Sequence, residues 1–306
     1  MRYIGIDVAM ETLDVFSEES SFVVSNNKSG HRQLLKRLQK GDIIGLEATN
    51  TYHFEVVNAL LQKGFEVRQI SSLLSYRYQH IEGSKQSTDK SAARALSELV
   101  ALGKGRALTE EQVHNPLREL TRARDALVKQ RSTLKCKLHK EANKDLQRCY
   151  TKLIKNFDAQ VEKLEEKILS FAPKGSDLLV NIPGISELSA RIILAEIGNV
   201  DRFQGYRQIV SFAGYDPSSA ESGTSVKKKG KLSKRGSPYL RCTLHLGAFA
   251  NLRAKPNVFN AYYHKKAEEG KHHNAALTAV ARKMLQVIYA VLRKNEPFLA
   301  KKCLTE

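Results

Sequence analysis

Carboxylates follow two short apolar runs early in the chain, and a third opens a helical pattern. Asp7 follows the run Tyr-Ile-Gly-Ile, Glu47 follows Ile-Ile-Gly-Leu, and Asp89 begins the string Asp-Lys-Ser-Ala. Hard carboxylate oxygens are the ligands that Mg²⁺ prefers, and two such ions about 4 Å apart can activate an attacking oxygen and stabilise a leaving one. The three acids therefore predict a magnesium site that cleaves phosphodiester bonds, provided that the sheet pairs the first two strands.

Each of these acids also has an ordinary structural explanation. A lone aspartate at a strand end is usually a turn residue, and Asp89 could simply cap its helix. However, Gly5 and Gly45 each stand two residues before a carboxylate, where a small residue lets another chain or a substrate approach closely. The repeated Gly-x-acid pattern favours the metal-site interpretation.

A Gly-, Ser- and Lys-rich segment from Gly214 to Gly236 interrupts the later part of the chain. Its basic residues, with one arginine just beyond, could neutralise several phosphates and release their counterions. The residues predicted to bind nucleic acid are Lys227, Lys228, Lys229, Lys231, Lys234, Arg235 and Arg241. A solvated loop is the commoner explanation of such a run, but the apolar helices that flank it closely favour an ordered site. A serine nucleophile needs a base or a metal to take its proton, and the residues alone do not choose between Ser218, Ser219, Ser222, Ser225 and Ser233.

The segment from Leu179 to Gly198 resembles a helix-hairpin-helix. Pro183 and Gly184 would form its tight turn, and a serine would cap its second helix. A turn that leads into a helix N-terminus presents free backbone N–H groups to phosphate, so Gly184 is a candidate nucleic-acid-binding position. A plain helical turn is the alternative, because Ser186 stands where such hairpins often carry a second glycine.

The net charge of +18 is distributed unevenly. Residues 1–105 hold 13 basic and 12 acidic residues, a net charge of +1, whereas the remainder holds 37 and 20, a net charge of +17. This asymmetry predicts a polyanionic partner for the later part. A basic membrane-surface protein is the competing class, but the chain has no Trp to serve as an apolar anchor.

The sequence predicts a cytoplasmic protein with no membrane partner. No apolar run approaches the roughly 18 residues of a membrane span, and the N-terminus lacks the apolar stretch of a signal peptide. The four cysteines lie far apart and form no Cys-x-x-Cys pair, so we expect free, mostly buried thiols and no zinc knuckle.

The order of the apolar patterns predicts an α/β fold in residues 1–105, with a mixed sheet covered by helices. Strand patterns lie at 3–6, 13–16, 21–24, 43–46 and 65–70, and helical patterns at 31–38, 54–61 and 88–102. In residues 106–172, Leu120, Leu127 and Leu134 recur every seven residues. They predict a long helical hairpin or coiled coil, with a self-packed three- or four-helix domain as an equal alternative. Residues 173–306 are predicted to be mainly helical, with helices at 189–197, 240–250 and 275–292.

The residues described so far resemble the DEDD-type transposases of bacterial insertion sequences, the IS110 family, whose first domain is similar to the RNase H and RuvC folds. That family has an Asp after the first strand, a Glu after a later strand, and two Asp three residues apart at the start of a helix. Asp7, Glu47 and Asp89 match the first three positions, and the fourth falls on Ala92. This departure should weaken metal binding or misplace one ion. It is either a natural variant that uses another ligand or a deliberate replacement that disables the nuclease, and we favour the second.

The resemblance continues through the later part of the chain. The family's motifs Ile-Pro-Gly-Ile, Ala-Gly-x-x-Pro, Ser-Gly, Ser-Lys-x-Gly and Leu-Arg occur in order at 182–185, 213–217, 222–223, 233–236 and 240–241. The family's nucleophilic serine falls on Ser222. The resemblance implies a phosphoserine intermediate with DNA, in a composite site where carboxylates of one protomer meet Ser222 of another. It also implies a non-coding guide RNA that pairs with donor and target DNA, and homodimers that join into a tetramer, with the helices at 116–171 as mediators.

Two other functions fit parts of this pattern. A structure-selective nuclease, such as a junction resolvase, would use the same carboxylates but leave Ser222 without a role. A non-catalytic nucleic-acid-binding or regulatory protein would account for Ala92. Covalent capture of DNA separates the recombinase from the first alternative, and metal-dependent activity of an Ala92→Asp protein separates it from the second.

Overall fold

The chain folds into two units, Met1–Asn115 and Pro116–Glu306. The computed structural model describes residues 2–18, 20–47, 52–81, 89–113, 115–216, 221–222, 226–227 and 232–300. The first unit extends beyond residue 105, because a short strand and a short helix follow that point and pack onto it. The long helices expected at 106–172 start at Pro116 and belong to the second unit.

A six-stranded mixed sheet forms the centre of the first unit. In spatial order its strands are β3 (Ser20–Ser25), β2 (Thr12–Ser17), β1 (Tyr3–Val8), β4 (Ile43–Glu47), β5 (Glu66–Ile70) and β6 (Arg106–Ala107). Strands β1, β4 and β5 run parallel, and the three outer strands pair antiparallel with their neighbours. The helices are α1 (Lys28–Arg37), α2 (Phe54–Gln62), α3 (Ser72–Ile81), α4 (Asp89–Ala101) and α5 (Glu110–Val113). The predicted α/β fold is confirmed, and it is compatible with a RuvC-like domain.

The two faces of the sheet are covered by different helices. Ile4, Ile6 and Val8 of β1 point to one face and join a buried cluster with residues of α1 and α2, among them Leu34 and Val57. The alternate residues of β1 point to the other face, where α4 packs in a second cluster. The period of two along β1 therefore decides which face its side chains share, and Asp7 falls on the α4 face.

Glycines on the α4 face let the helix lie directly on the sheet. A Cβ atom added to Gly5 would lie 1.8 Å from the carbonyl oxygen of Ala93 and 2.6 Å from the backbone nitrogen of Ser97. A Cβ atom added to Gly45 would lie 2.2 Å from a methyl carbon of Val100. The glycine that stands two residues before each carboxylate is thus explained by the close approach of a helix.

Gly5→Ala is expected to lower the free energy of unfolding by about 3 kcal/mol or more, because the clash is with backbone atoms that cannot rotate away. The measurement is denaturant unfolding of the full chain, followed by circular dichroism. Gly205→Ala is the matched control, since its backbone is extended and nothing lies within 4 Å of the added Cβ. Equal stability of the two variants would contradict the close packing of α4 on β1.

The second unit is helical over most of its described residues. Its helices are α6 (Pro116–Lys140), α7 (Lys144–Leu169), α8 (Ser176–Val180), α9 (Glu187–Ile197), α10 (Tyr206–Phe212), α11 (Pro238–Arg253), α12 (Val258–Glu268) and α13 (His273–Lys294). A 3-10 turn spans Val200–Arg202, and two short strands, β7 (Glu221–Ser222) and β8 (Val226–Lys227), pair antiparallel. The helices predicted near 189, 240 and 275 are present, and α10 and α12 are additions to that prediction.

The two longest helices, α6 and α7, form an antiparallel pair. Arg124 donates to Glu165 at 2.5 Å and Arg131 donates to Asp158 at 2.7 Å, so the paired positions move in opposite directions along the two helices. The expected helical hairpin is present. Its further description as a coiled coil, and its part in assembly, stay predictions.

The core of the second unit is built around α13. Its buried side chains recur at helical spacing, as Leu277, Val280, Ala281, Met284 and Ile288 do. Among the described helices α13 alone is long and apolar enough to span a membrane, and half of that stretch is buried inside the unit. Such burial is typical of an apolar helix in the core of a folded domain.

The expectation of mostly buried thiols is wrong for the described cysteines. Cys136, Cys149 and Cys242 are free and exposed, and Cys303 lies outside the described residues. The first two lie on the long helices α6 and α7, whose outer surfaces are largely polar. A helical pair has little interior, so a residue type that is usually buried is left at the surface.

Candidate active site

The sheet register brings Asp7 and Glu47 side by side. Strands β1 and β4 pair in parallel through Gly5 with Gly45 and Ile6 with Leu46, so the next residue on each strand is a carboxylate. Neighbouring residues of paired strands point to the same face, and both side chains are half-buried. The sheet thus pairs the two carboxylate-bearing strands, as the predicted metal site requires.

Helix α4 brings the backbone of Asp89, the third predicted metal ligand, towards the same edge. The Ser97 hydroxyl donates to the carbonyl oxygen of Tyr3 at 2.8 Å, and one turn earlier Ala93 lies against Gly5. Four helix residues rise about 6 Å, which matches the length of two strand residues. One further turn back is Asp89, the first residue of α4, at the level of Asp7. The side chain of Asp89 lies outside the described residues.

Ala92 lies on the same side of α4 as Asp89 and the residues that contact the sheet. It stands one residue before Ala93 and is half-buried, at the three-residue spacing that places two side chains on one helix face. A carboxylate at this position would project near the edge where Asp7 and Glu47 stand. The departure at Ala92 therefore affects the site itself.

A further carboxylate, which the sequence did not single out, stands opposite Asp7. The antiparallel register of β1 and β2 pairs Asp7 with Asp14, and cross-strand partners point to the same face with Cβ atoms about 5 Å apart. Like charges in this arrangement destabilise a sheet unless something compensates them. The available sequence signal was the alternation in β2, which places Asp14 on the face opposite to the buried Leu13 and Val15.

The donor set suits a hard divalent cation. Asp7, Asp14 and Glu47 offer carboxylate oxygens alone, which favour ions such as Mg²⁺ over softer metals. Among the side chains that the structure describes, no three His, Cys, Asp or Glu residues converge closely enough to hold an ion. Asp89 is not among those side chains, so a complete site needs its carboxylate or a change of rotamer in the others.

Asn26 joins the two segments that follow the carboxylate-bearing strands. Its side-chain amide nitrogen donates to the carbonyl oxygen of Ala9, just after β1, at 2.8 Å and to that of Tyr52, just before α2, at 3.2 Å. Its amide oxygen lies 2.9 Å from Nε2 of His31, which therefore donates and carries the ring proton. This link fixes the chain on either side of the carboxylate edge.

Burial lowers the pKa of His31, and the carboxylate of Glu55 opposes this effect only partly. His31 therefore takes up a proton at a lower pH in the fold than in the unfolded chain, where its ordinary pKa is 6.5. The unfolded state binds more protons as the pH falls below that value, so the free energy of unfolding should fall with it until the folded state is protonated as well.

His31→Gln is expected to flatten this acid-side loss of stability, because glutamine can donate the same hydrogen bond but does not titrate. The measurement is the thermal midpoint of the parent and the variant between about pH 5 and pH 8. His139→Gln, on the polar surface of α6, is the control that should leave the slope unchanged. Parallel pH profiles for parent and His31→Gln would contradict the inference.

Ser222 lies in a short β-hairpin of the second unit. β7 and β8 pair Ser222 with Val226 and Glu221 with Lys227, and the structure describes the backbone of these four residues. Ser222 is thus the last residue of β7, on the same small element as Lys227. Its other serine candidates, Ser218, Ser219 and Ser225, lie outside the described residues.

The segment that carries the hairpin is closed at its base. The Ser233 backbone nitrogen donates to the carbonyl oxygen of Asp216 at 2.9 Å, and its hydroxyl donates to the Asp216 carboxylate at 2.5 Å. The guanidinium of Arg241 donates to the carbonyl oxygens of Ala213 at 2.9 Å and Gly236 at 3.0 Å. These contacts hold the two ends of the Ser222 segment together.

The predicted nucleic-acid-binding residues fall into three groups. Lys234 and Arg235 are exposed near the end of the segment from Gly214 to Gly236. Arg241 is half-buried and its guanidinium clamps the base. Lys228, Lys229 and Lys231 lie outside the described residues, as does the side chain of Lys227. Binding of nucleic acid by any of these residues stays a prediction.

Gly184 lies in the turn between α8 and α9, with the backbone in the left-handed region (φ 84°). A Cβ atom there would lie 2.3 Å from the side-chain nitrogen of Asn251 and 2.5 Å from the carbonyl oxygen of Gly247, both on α11. Asn251 also donates to the carbonyl oxygen of Pro183 at 3.0 Å. These contacts explain the glycine by conformation and packing, and its predicted role in binding phosphate stays a prediction.

A buried carboxylate connects α6 with the start of α11. Glu196, whose side chain is 2% exposed, accepts from Arg122 at 2.8 and 3.0 Å and from the Ser237 hydroxyl at 2.8 Å. Ser237 caps α11 directly after the basic segment. Sequence reasoning missed Glu196 because it stands in an ordinary helical pattern, and only the packing of three helices brings its partners together.

Two family models match the chain. A DEDD-type transposase model of IS110 covers residues 4–143, and a model of the transposase IS116/IS110/IS902 family covers residues 176–264. A pilin gene-inverting protein of Moraxella bovis is 27% identical over 97% of both chains. The transposase for insertion sequence element IS1111A of Coxiella burnetii is 32% identical over 49% of this chain and 42% of its own. The chain is a transposase, and its two matched stretches are similar to the transposase domains of the IS110/IS116/IS902 family.

This transposase is accordingly an enzyme of DNA cleavage and rejoining. The first family model includes Asp7, Glu47, Asp89 and Ala92, and its DEDD class indicates use of a divalent metal. The second includes Gly184, Ser222 and Arg241. The carboxylate edge and the segment that carries Ser222 thus lie in the two stretches that the transposase models match.

Proposed function

We propose that this transposase transfers DNA strands through a covalent bond to Ser222. The Ser222 oxygen would attack a phosphorus atom of DNA, a phosphoserine ester would form, and the bond from phosphorus to the departing deoxyribose oxygen would break. That oxygen takes up a proton, and attack by a deoxyribose hydroxyl of a second strand would reverse the step and release the serine. The observation that carries the proposal is the closed base of the segment that carries Ser222, with the exposed residues Lys234 and Arg235 directly after Ser233 of that base.

The proton of Ser222 needs an acceptor, and we propose that a group outside the base of its segment provides it. Burial raises the pKa of the Tyr215 hydroxyl, which donates to the carbonyl oxygen of Arg241 at 3.1 Å, so Tyr215 is not the base. The carboxylates Asp7, Glu47 and Asp89 are the proposed metal ligands. A divalent ion held there, with Mg²⁺ as our proposed metal, would supply a Lewis acid for the phosphate and lower the pKa of the attacking oxygen. Their meeting with Ser222 of another protomer is part of the proposal.

A guide RNA and a homo-oligomer complete the proposed function. The net charge of +17 on residues 106–306 suits polyanionic partners, and a non-coding RNA is the partner that we propose in addition to DNA. The exposed surface of the α6–α7 pair is the proposed site of dimer and tetramer assembly. An enzyme with these partners would act in the cytoplasm, on the nucleoid.

A metal-dependent, structure-selective nuclease is the second candidate, because the carboxylate edge needs no serine. Covalent capture decides between the two. A labelled DNA strand that stays attached to the denatured protein supports the transposase mechanism, whereas cleavage without attachment supports the nuclease.

Ala92→Asp is expected to raise metal-dependent strand cleavage by at least about tenfold, since it adds a carboxylate on the sheet-facing side of α4. The measurement is the rate of cleavage at increasing Mg²⁺ or Mn²⁺ concentration. Ala92→Asn is the control, because it has the same size but no charge. No gain over the parent would mean that the fourth position is not the cause of any deficit.

A further inference from the structure

A basic cavity opens beside the Ser222 segment in the second unit. Its volume is about 390 Å³, at the lower end of the range of small-ligand pockets. One wall is α13, another is the end of α12, and the remainder is Tyr215 and Leu232, which stand directly at the two ends of the Ser222 segment. Whatever occupies this cavity therefore lies against the base of the segment that carries the nucleophile.

The charged residues of the cavity are cations, and two of them, Arg282 and Lys283, make no salt bridge with any residue that the structure describes. Lys266 donates to both carboxylate oxygens of Glu269 at 2.8 Å. The carboxylate of Glu269 also interacts electrostatically with Lys271, which leaves Arg282 and Lys283 as the two cations without a salt bridge. A concave surface with this excess of positive charge attracts anions, and a phosphodiester chain is the repeating anion on which this enzyme acts.

The cavity also offers apolar and hydrogen-bonding surface suited to a base. Tyr262 is half-buried at its side, with the ammonium of Lys266 5.2 Å from the ring centroid. The small side chains of Ala275 and Ala279 line the cavity on α13, together with the polar side chains of Thr278 and Gln286. An aromatic ring beside cations is the arrangement that binds single-stranded nucleic acid, because an unpaired base can stack while its phosphates meet the cations.

We propose that this cavity binds single-stranded DNA and holds the strand next to Ser222. Ser222 follows Tyr215 by seven positions along the chain, so the serine lies within about 25 Å of the cavity wall even if the chain is fully extended. A duplex keeps its bases stacked and cannot place one on Tyr262. The choice of DNA over RNA rests on the proposed function, in which Ser222 attacks DNA.

The test measures binding of fluorescent oligo(dT) of twelve nucleotides by anisotropy. Arg282→Gln/Lys283→Gln is expected to weaken binding at least tenfold and to reduce the salt slope by roughly 1.4, since each lost phosphate contact on a single strand contributes about 0.7. Lys265→Gln/Lys294→Gln removes two exposed charges outside the cavity and should change affinity less than threefold. Equal losses in the two double variants would overturn the proposal.

Tyr262 provides a second, charge-independent readout. Tyr262→Leu is expected to weaken oligo(dT) binding about tenfold, and Tyr262→Phe should restore it because stacking needs the ring alone. No loss in Tyr262→Leu would overturn the proposal. Preference of the cavity for oligo(U), shown by more than tenfold tighter binding that disappears in Arg282→Gln/Lys283→Gln, would overturn the assignment to DNA.

Covalent capture separates this inference from the proposed function. If Ser222→Ala loses the covalent adduct while the cavity variants bind oligo(dT) as the parent does, the inference alone fails. If the adduct persists in Ser222→Ala and the cavity variants still lose oligo(dT), the cavity binds the strand and the serine mechanism fails.

Discussion

Ser222→Ala is expected to abolish covalent capture of DNA by this transposase completely, while binding of DNA persists. The phosphoserine bond needs one particular oxygen, and the pairing of Ser222 with Val226 fixes the backbone that carries it. Methyl in place of hydroxyl removes the nucleophile and leaves the charge of the segment unchanged. The measurement is a labelled, nicked DNA substrate followed on a denaturing gel, where the parent gives a protein–DNA band.

Ser233→Ala and Ser219→Ala are the matched controls for this experiment. Ser233 carries a hydroxyl in the same basic segment, but this hydroxyl already donates its proton to the Asp216 carboxylate. We therefore expect Ser233→Ala to keep the covalent adduct. Because Ser233→Ala removes the hydrogen bond to Asp216, it should lower the free energy of unfolding by about 1 kcal/mol. An adduct that persists in Ser222→Ala and disappears in one of the controls would move the nucleophile to that residue.

Asp7→Asn is expected to reduce metal-dependent strand cleavage by at least about a hundredfold. Asp7 is the centre of the carboxylate edge, next to Glu47 in the parallel register and opposite Asp14 in the antiparallel one. Asparagine keeps the size and removes the charge, so the fold should persist. The rates are measured in the Ala92→Asp background if the parent is too slow, together with binding of Mn²⁺ by electron paramagnetic resonance.

Glu66→Gln is the control for the carboxylate experiment. Glu66 begins β5 and thus lies at the opposite end of the same sheet from the carboxylate edge, so its loss should leave cleavage and Mn²⁺ binding unchanged. Asp7→Asn with full cleavage and full Mn²⁺ binding would contradict the proposed site. A variant that binds Mn²⁺ but no longer cleaves would show that Asp7 positions the substrate or the attacking group.

Much of the first unit could be predicted from the sequence, because its strands are short apolar runs that end at polar residues. Two of these apolar runs end directly before Asp7 and Glu47, and the glycine two residues before each acid indicated a close approach. The two-residue strand β6 and the helix α3 were not predicted, since the first is too short for a pattern and the second has no apolar stripe.

The identity of the close partner of these glycines could not be read from the sequence. Gly5 and Gly45 could have made room for a ligand or a crossing chain, or could have formed a β-bulge. Only the packing of α4 showed that a helix backbone occupies the space. Asp14 was missed for a related reason, because the strand register, and not the local pattern, makes it the neighbour of Asp7.

The sequence by itself determined the chemistry that is available to this transposase: the carboxylates after apolar strands, the serine within a basic segment, and the concentration of positive charge after residue 105. The tertiary structure decided which of these groups are neighbours. It set Asp7 between Glu47 and Asp14, closed the base of the Ser222 segment through Asp216 and Arg241, and formed a basic cavity at that base. Residue type fixes what a group can do, but proximity depends on contacts between distant parts of the chain, which no local pattern contains.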